Sequence, residues 1–345
     1  MLVVRVKRRI RWMASAGVLL FAGSMVTLSA AGAMPGLQDG QKQDEPIKLK
    51  ATLVQVPVVA TDSGGKRYVA DLHKNEFEVF ENGVKQEIEV FASTEIPFSV
   101  TLVLDSSGST TDQLNKIKSA ALAFIDNLRP ADRVMIINFD DSVHVQCEFS
   151  SDRDVLKRAV EAVQVGQFTQ VYEAVYTAVW ERLKHASGRK AAIIFTDGID
   201  TASSEISEDD TLDAIADTEG LLVYPIRYST RGDVERRLER RPDQHGDKQP
   251  AMSPEERKLA LDRTYRRADE YLHQMADLSG GIVERADSLG DLEGAFGRIA
   301  EELRKQYLLG YYPSEPADGA ERKITVRVSR PDVLLRARPA YRAPE

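Results

Sequence analysis

The run Phe98-Ser-Val-Thr-Leu-Val-Leu-Asp105-Ser-Ser-Gly-Ser109 decides how this chain is read. Seven uncharged residues rich in β-formers end in an acid, and hydroxyl side chains follow at Ser107 and Ser109. A short apolar run bounded by Ser and Gly is the pattern of a strand buried on both faces, which sets Asp105 at its carboxyl end. Open α/β sheets bind ligands at that end of their strands. One carboxylate and two hydroxyls on a loop are all oxygen donors, the kind that hard cations such as Mg2+ prefer.

Downstream of Pro97, strands alternate with amphipathic helices, which implies βαβ units and a mainly parallel α/β sheet with helices on both faces. The six expected strands are 98–104, 134–138, 143–149, 191–195, 221–226 and 281–284. The expected helices are 111–127, 152–163, 170–186, 208–218, 268–278 and 288–305. Only Phe139-Asp140-Asp141-Ser142 separates the second strand from the third, too few residues for a crossover helix. That pair must be antiparallel and forms an edge of the sheet, with Asp140 and Asp141 serving only as its turn. Between about 229 and 268 the pattern gives way to a dense charge block split by Pro242, Gly246 and Pro250, which reads as a solvated helical excursion or a loop. Its cluster Arg236-Arg237 with Arg240-Arg241 is offset by neighbouring acids.

Both flanks are β-rich. Residues 47–95 show strand-like alternation over 49–60, 77–80 and 86–91, with Glu81-Asn82-Gly83 as a hairpin signal. Residues 306–345 repeat the pattern at 307–312, 323–328 and 333–337. Each flank has too few strands to bury a core of its own, so the two are expected to build one discontinuous β-sandwich from which the α/β domain, residues 96–305, emerges.

The N-terminus is unlike the rest. Arg5, Lys7, Arg8, Arg9 and Arg11 precede an uncharged stretch from Trp12 to Pro35, with Ala31-Gly-Ala33 as a small-residue cleavage site. This is the layout of a signal peptide over residues 1–33, followed by a polar linker, 34–46, and it implies a periplasmic or secreted protein. The alternative is an uncleaved membrane anchor over residues 12–33. Losing residues 1–33 removes five positive and no negative side chains, which takes the formal net charge from −8 to −13. So acidic a protein is ill suited to nucleic acid or anionic lipid, because the phosphates would repel it. Cys147 is the only cysteine, which excludes an internal disulfide and a thiolate zinc site, and its strand-like surroundings suit a small buried hydrophobe.

Two further stretches converge on the loop after Asp105. The strand at 191–195 ends in Thr196-Asp197-Gly198, a second acid at a strand's carboxyl end, and Thr169 lies in the loop that opens helix 170–186. Taken singly, Asp105 and Asp197 are turn acids, and Ser107 and Ser109 are helix caps. Taken together, Asp105-x-Ser107-x-Ser109, a loop Thr169 about 60 residues on, and Thr196-Asp197-Gly198 resemble the metal-ion-dependent adhesion site (MIDAS) of von Willebrand factor type A domains. The flanking Phe77-Glu-Val-Phe-Glu-Asn-Gly83 and the tail Gln306-Tyr-Leu-Leu-Gly-Tyr-Tyr-Pro313 further resemble the exported von Willebrand factor A-related proteins of Acidobacteria.

The resemblance implies a Rossmann-like six-stranded sheet. It also implies Mg2+, or Mn2+ or Ca2+, held directly by Ser107 and Ser109, directly or through water by Thr169, and largely through waters by Asp105 and Asp197. Phe168 stands where many members of the family carry Gly, and on the rim it would offer a partner an apolar contact. Neutral hydroxyl ligands leave much of the ion's charge unscreened, so an open position can take a carboxylate from a protein or envelope partner. No Gly-x-Ser-x-Gly elbow, Walker loop or His-Glu-x-x-His occurs, and the five histidines show no ligand spacing. A non-enzymatic binding protein is therefore expected. The alternatives are a metal-dependent hydrolase, which would need a general base or second metal beside the ion, and a structural module with a vestigial, metal-free site.

Overall fold

The computed structural model describes residues 52–93, 97–111, 113–240 and 253–344. The expected signal peptide, the linker and the alternative anchor at 12–33 lie outside the described residues, as does the centre of the charge block, 241–252. In chain order the N-terminal strands are β1 (Val54–Asp62), β2 (Phe77–Glu81), β3 (Val84–Gln86) and β4 (Val90–Ala92). There follow β5 (Phe98–Asp105), α1 (Leu114–Asp126), β6 (Arg133–Phe139), β7 (Val143–Ser150), α2 (Arg153–Ala162), α3 (Val171–Tyr176) and β8 (Arg189–Thr196). Next come α4 (Glu208–Ala216), β9 (Leu221–Arg227), α5 (Arg231–Arg240), α6 (Pro254–Ser279), β10 (Glu284–Arg285) and α7 (Leu289–Lys305). The last strands are β11 (Tyr307–Tyr311), β12 (Glu321–Val328), β13 (Val333–Ala337) and β14 (Ala340–Arg342).

All eight residues of β5 are buried, as an uncharged run between two layers of helix requires. The strand lies inside a six-stranded sheet of order β10-β9-β8-β5-β6-β7, parallel except for β7. Side chains alternate between its faces: Val100, Leu102 and Leu104 pack with α1, α2 and α7, and Val103 packs with α3, α4 and α6. The short turn makes β7 antiparallel, and its half-exposed pattern marks a sheet edge. Half-buried Cys147 packs from this edge onto the first core.

The flanks interleave. β1 is hydrogen-bonded between β11 and β13, and β2 between β3 and β12, giving the sheets β13-β1-β11-β4 and β14-β12-β2-β3. Val56, Val58, Phe77 and Val79 share their core with Tyr307, Leu309, Tyr311, Ile324 and Tyr341, so strands from both ends of the chain bury one another. Asn82 (φ 49°) and Gly83 (φ 85°) supply the two left-handed residues of a tight hairpin turn whose twist matches the strands it joins.

Four elements differ from expectation. The 86–91 strand is split between β3 and β4, which belong to different sheets, and Ile88 enters the sandwich core at the crossing. The helix expected over 170–186 is α-helical only to Tyr176 and continues as a π-turn, Thr177–Arg182, and a 3-10 turn, Leu183–His185. The strand expected at 281–284 is instead the two-residue β10 at Glu284–Arg285, and Gly281 lies against the β9 backbone, where an added Cβ would sit 1.9 Å from the Val223 carbonyl oxygen. The helix expected at 268–278 begins far earlier, at Pro254. Ser253 Oγ accepts the Glu256 N–H while Glu256 Oε2 accepts the Ser253 N–H, a reciprocal cap that starts a helix of 26 residues inside the charge block.

Candidate metal centre

The parallel register of β5 and β8 aligns Leu104 with Phe195, which leaves Asp105 beside Thr196 at the carboxyl end of the sheet. Asp105 is fully buried. Its Oδ2 accepts the Thr196 hydroxyl at 3.0 Å and its Oδ1 the Ser107 N–H at 3.0 Å, and the Ser107 hydroxyl hydrogen-bonds it as well. Ser107 is itself 1% exposed. Ser109 follows in the 3-10 turn Gly108–Thr110 of the same loop. The intervening Ser106 faces elsewhere, its hydroxyl donating to the Phe139 carbonyl and accepting from Asn138 Nδ2, which fastens the loop to β6.

The second loop, 165–170, is held against the first by backbone bonds. Gly166 donates to the Ser106 carbonyl at 2.9 Å. Gly108 lies so close that an added Cβ would sit 3.2 Å from the Gln167 carbonyl oxygen, which gives Gly a steric role in the Ser-Gly-Ser pattern. Thr169, 7% exposed, is tied to the third loop: its N–H donates to Thr201 Oγ1 at 3.0 Å, and its carbonyl accepts the N–H groups of Thr201 and Ala202. The third loop carries Asp197, 6% exposed, whose Oδ1 accepts the Ile199 N–H. Gly198 (φ +79°) turns the chain there and Thr196 Oγ1 accepts its N–H. Phe168 is 56% exposed beside this buried group.

Asp140 and Asp141 do more than form a turn. Asp141 Oδ1 accepts the Phe168 N–H at 2.6 Å, and the Asp140 carbonyl accepts the Gln170 N–H, so the β6–β7 turn holds the Thr169 loop in place. Gly166 is seated against Asp140, where an added Cβ would lie 2.3 Å from the Asp140 Cβ. Gly166→Ala is therefore expected to push the two loops apart at a cost of about 1–3 kcal/mol, read as a lowered urea midpoint at unchanged slope.

Burial, followed by the charge of neighbouring Asp197, pushes the Asp105 carboxyl up to about 7. Burial likewise raises Asp197. Two adjoining buried acids contacted by hydroxyls and N–H groups are electrostatically costly in their ionised form, and a divalent cation beside them offsets that cost. The carboxylates and hydroxyls described here offer a metal oxygen alone, which fits Mg2+, Mn2+ or Ca2+. Among the described residues no three His, Cys, Asp or Glu side chains gather around one point. His73, His144, His185 and His273 are exposed.

Residues 100–199 match the von Willebrand factor type A domain. The chain carries a von Willebrand factor type A domain. The matched span of this vWA domain takes in Asp105, Ser107, Ser109, Thr169 and Asp197. Over 107 residues the chain is 34% identical to the uncharacterized protein sll0103 of Synechocystis, an alignment covering 30% of this chain and 26% of that protein. Over 226 residues it is 23% identical to a UPF0353 protein of Nocardia farcinica, covering 61% of this chain and 63% of that one. It therefore spans less than two thirds of the length of either relative. The von Willebrand factor type A structure from Catenulispora acidiphila is similar at 13% identity and a TM-score of 0.46, over 79% of this chain and 74% of that one. Domains of the family are generally protein-interaction modules.

Side chains beyond the five expected site residues also enter this part of the vWA domain. Thr196 lies inside Thr196-Asp197-Gly198 and Thr201 three residues beyond it, so the strand end marks both in the sequence. Thr230 reaches Asp197 from the start of the charge block, which carries no sequence signal for such a contact.

Proposed function

We propose that the three-loop crevice of the vWA domain holds a divalent cation, Mg2+ in the first instance, and that this chain is a non-enzymatic, exported binding protein for a carboxylate-bearing protein or envelope partner. The observation that carries the reading is the pair of adjoining buried acids, Asp105 and Asp197, approached by neutral donors and flanked by the buried hydroxyl residues Ser107 and Thr169. In this reading Ser107, Ser109 and Thr169 are the direct ligands and the two acids orient bound waters. The cation supplies Lewis acidity toward an incoming carboxylate. In the same reading Phe168, 56% exposed, offers its ring to the apolar surface around that carboxylate. Export rests on the sequence of residues 1–33; among the described residues no helix is long and apolar enough to cross a membrane.

Calorimetry of the full chain with Mg2+, Mn2+ and Ca2+ tests the site. Wild type is expected to bind at least one of these ions, and Asp105→Ala to lose about 100-fold in affinity. No binding of any of the three by wild type ends the reading. Retrieval of the same partner from envelope extract in the presence of EDTA would remove the ion from recognition.

A further inference from the structure

The charge block was expected to be a solvated helical excursion or a loop, yet Thr230 near its start is built into the crevice. Thr230 is 1% exposed, and its hydroxyl lies 2.5 Å from Asp197 Oδ2. On its other side the same hydroxyl lies 2.8 Å from the phenol of Tyr265, a residue of α6 that is 8% exposed. The proton order follows from valence. An ionised carboxylate only accepts, so Thr230 commits its one proton to Asp197, and the Tyr265 phenol must then donate to Thr230 Oγ. With Ile199 N–H on Oδ1 and Thr230 on Oδ2, both Asp197 oxygens are engaged and the carboxylate plane is fixed.

The helices at the two ends of this relay, α5 directly after Thr230 and α6 carrying Tyr265, are joined to each other, and α6 to the sheet. The Thr230 carbonyl accepts the Val234 N–H at the start of α5, Arg231 Nη2 meets Asp262 Oδ1 at 2.5 Å between α5 and α6, and Arg227 of β9 meets Asp269 of α6 at 3.0 Å. On the far side of the loop, Gly198 is pressed onto α6, where an added Cβ would sit 3.0 Å from the Ala268 carbonyl oxygen. Asp197 is thus held through a hydroxyl chain that ends on α6, and α5 begins directly after the residue in the middle of that chain.

Resting on the proposed cation site, we infer that Thr230 and Tyr265 are positioning residues for it, and that they couple the α5–α6 arm to the ion. Removing outer-shell partners of a metal site typically changes metal affinity by about 10–100-fold, and Thr230 and Tyr265 act in that outer shell, through Asp197. Any such coupling is reciprocal: an ion that prefers this Asp197 orientation also steadies the arm.

The test uses the full chain and three variants, titrated with Mg2+ by calorimetry. Thr230→Val keeps the shape and removes the donor, and it is expected to weaken binding by about 10-fold or more, with Tyr265→Phe weakening it less and Thr230→Ser restoring it. Hydrogen exchange supplies the second readout, which a merely structural hydroxyl leaves unmoved. Mg2+ is expected to slow exchange of the α5 amides, Val234 included, in wild type, and that slowing is expected to be lost in Thr230→Val. Should Thr230→Val fold poorly, Tyr265→Phe carries the same two readouts. If wild type binds Mg2+ and both variants bind it within about twofold of wild type, or if α5 exchange ignores the ion, this inference falls and the cation site stands. Absence of Mg2+, Mn2+ and Ca2+ binding by wild type brings down both.

Discussion

Glu81→Ala is expected to cost about 3–5 kcal/mol and to open the β-sandwich, although Glu81 lies far from the crevice. The carboxylate is 2% exposed at the end of β2. Its Oε1 accepts Arg322 Nη1 at 2.9 Å, and its Oε2 accepts the Tyr311 and Tyr341 hydroxyls at 2.7 and 2.8 Å. One carboxylate thus ties the N-terminal β2 to the C-terminal β12, β14 and, in the opposite sheet, β11. Removing it takes from the buried guanidinium of Arg322, 1% exposed, its buried carboxylate, with the carbonyls of Glu315 and Pro316 and the half-exposed carboxylate of Asp318 still in reach. It also leaves two buried phenols without their acceptor, and the loss of a partner is what makes a buried ion pair costly to break. Burial and Glu81 together hold both tyrosines well above the ordinary phenol range, so they remain donors. Glu78→Ala, three residues earlier in the same strand, serves as the control. Its partner Lys85 is 61% exposed, and a surface pair of this kind contributes less than about 1 kcal/mol. Urea unfolding followed by circular dichroism separates the two. A midpoint for Glu81→Ala within error of Glu78→Ala would show that the buried carboxylate does not hold the flanks together.

That dependence bears on how far the fold was legible in the sequence. β5, β8 and β9 were readable because buried parallel strands are uninterrupted apolar runs, and β7 because a four-residue turn admits one pairing. Interleaving of the flanks followed from counting strands too few to form two cores. The start of α6 was present in Ser253-Pro-Glu-Glu256 but submerged in a block whose density of charge suggested solvent. Where a chain crosses between sheets, as between Gln86 and Val90, alternation continues unbroken and gives no warning. The candidate site divides in the same way. Its acids and hydroxyls lie next to strand ends, where local pattern finds them. The groups that orient them, Asp141 on the Phe168 N–H and Thr230 on Asp197, come from elements with no local mark, because a contact over 27 or 33 residues is set by packing and not by spacing.

In chelator, the protein is expected to lose stability as the pH rises from about 4 to about 7, and Mg2+ is expected to restore it above that range. The direction follows from the Asp105 carboxyl, which burial and the neighbouring Asp197 raise to about 7 in the fold, against about 3.9 for an unfolded chain. The folded state holds this proton more tightly than the unfolded one. Below about 4 both states carry it, and it contributes no pH dependence. As the pH rises to about 7 the unfolded chain ionises freely while the fold must either keep the proton or bury a second negative charge beside Asp197. Each unit of separation is about 1.4 kcal/mol, and in a domain of about 150–250 residues, such as the α/β part of this chain, each kcal/mol moves the melting midpoint by about 2–4 °C. Asp105→Asn replaces the acid with a neutral group of the same shape. In EDTA at pH 8 it is expected to melt above wild type, and its midpoint is expected to ignore Mg2+, whereas wild type rises by an increment that grows with pH. Melting curves of both proteins at pH 5, 6.5 and 8, with EDTA or Mg2+, contain the answer. A wild type whose midpoint in EDTA is flat over this range would show that the two acids are not strained against each other. That result would leave the crevice without the electrostatic reason to take up a cation.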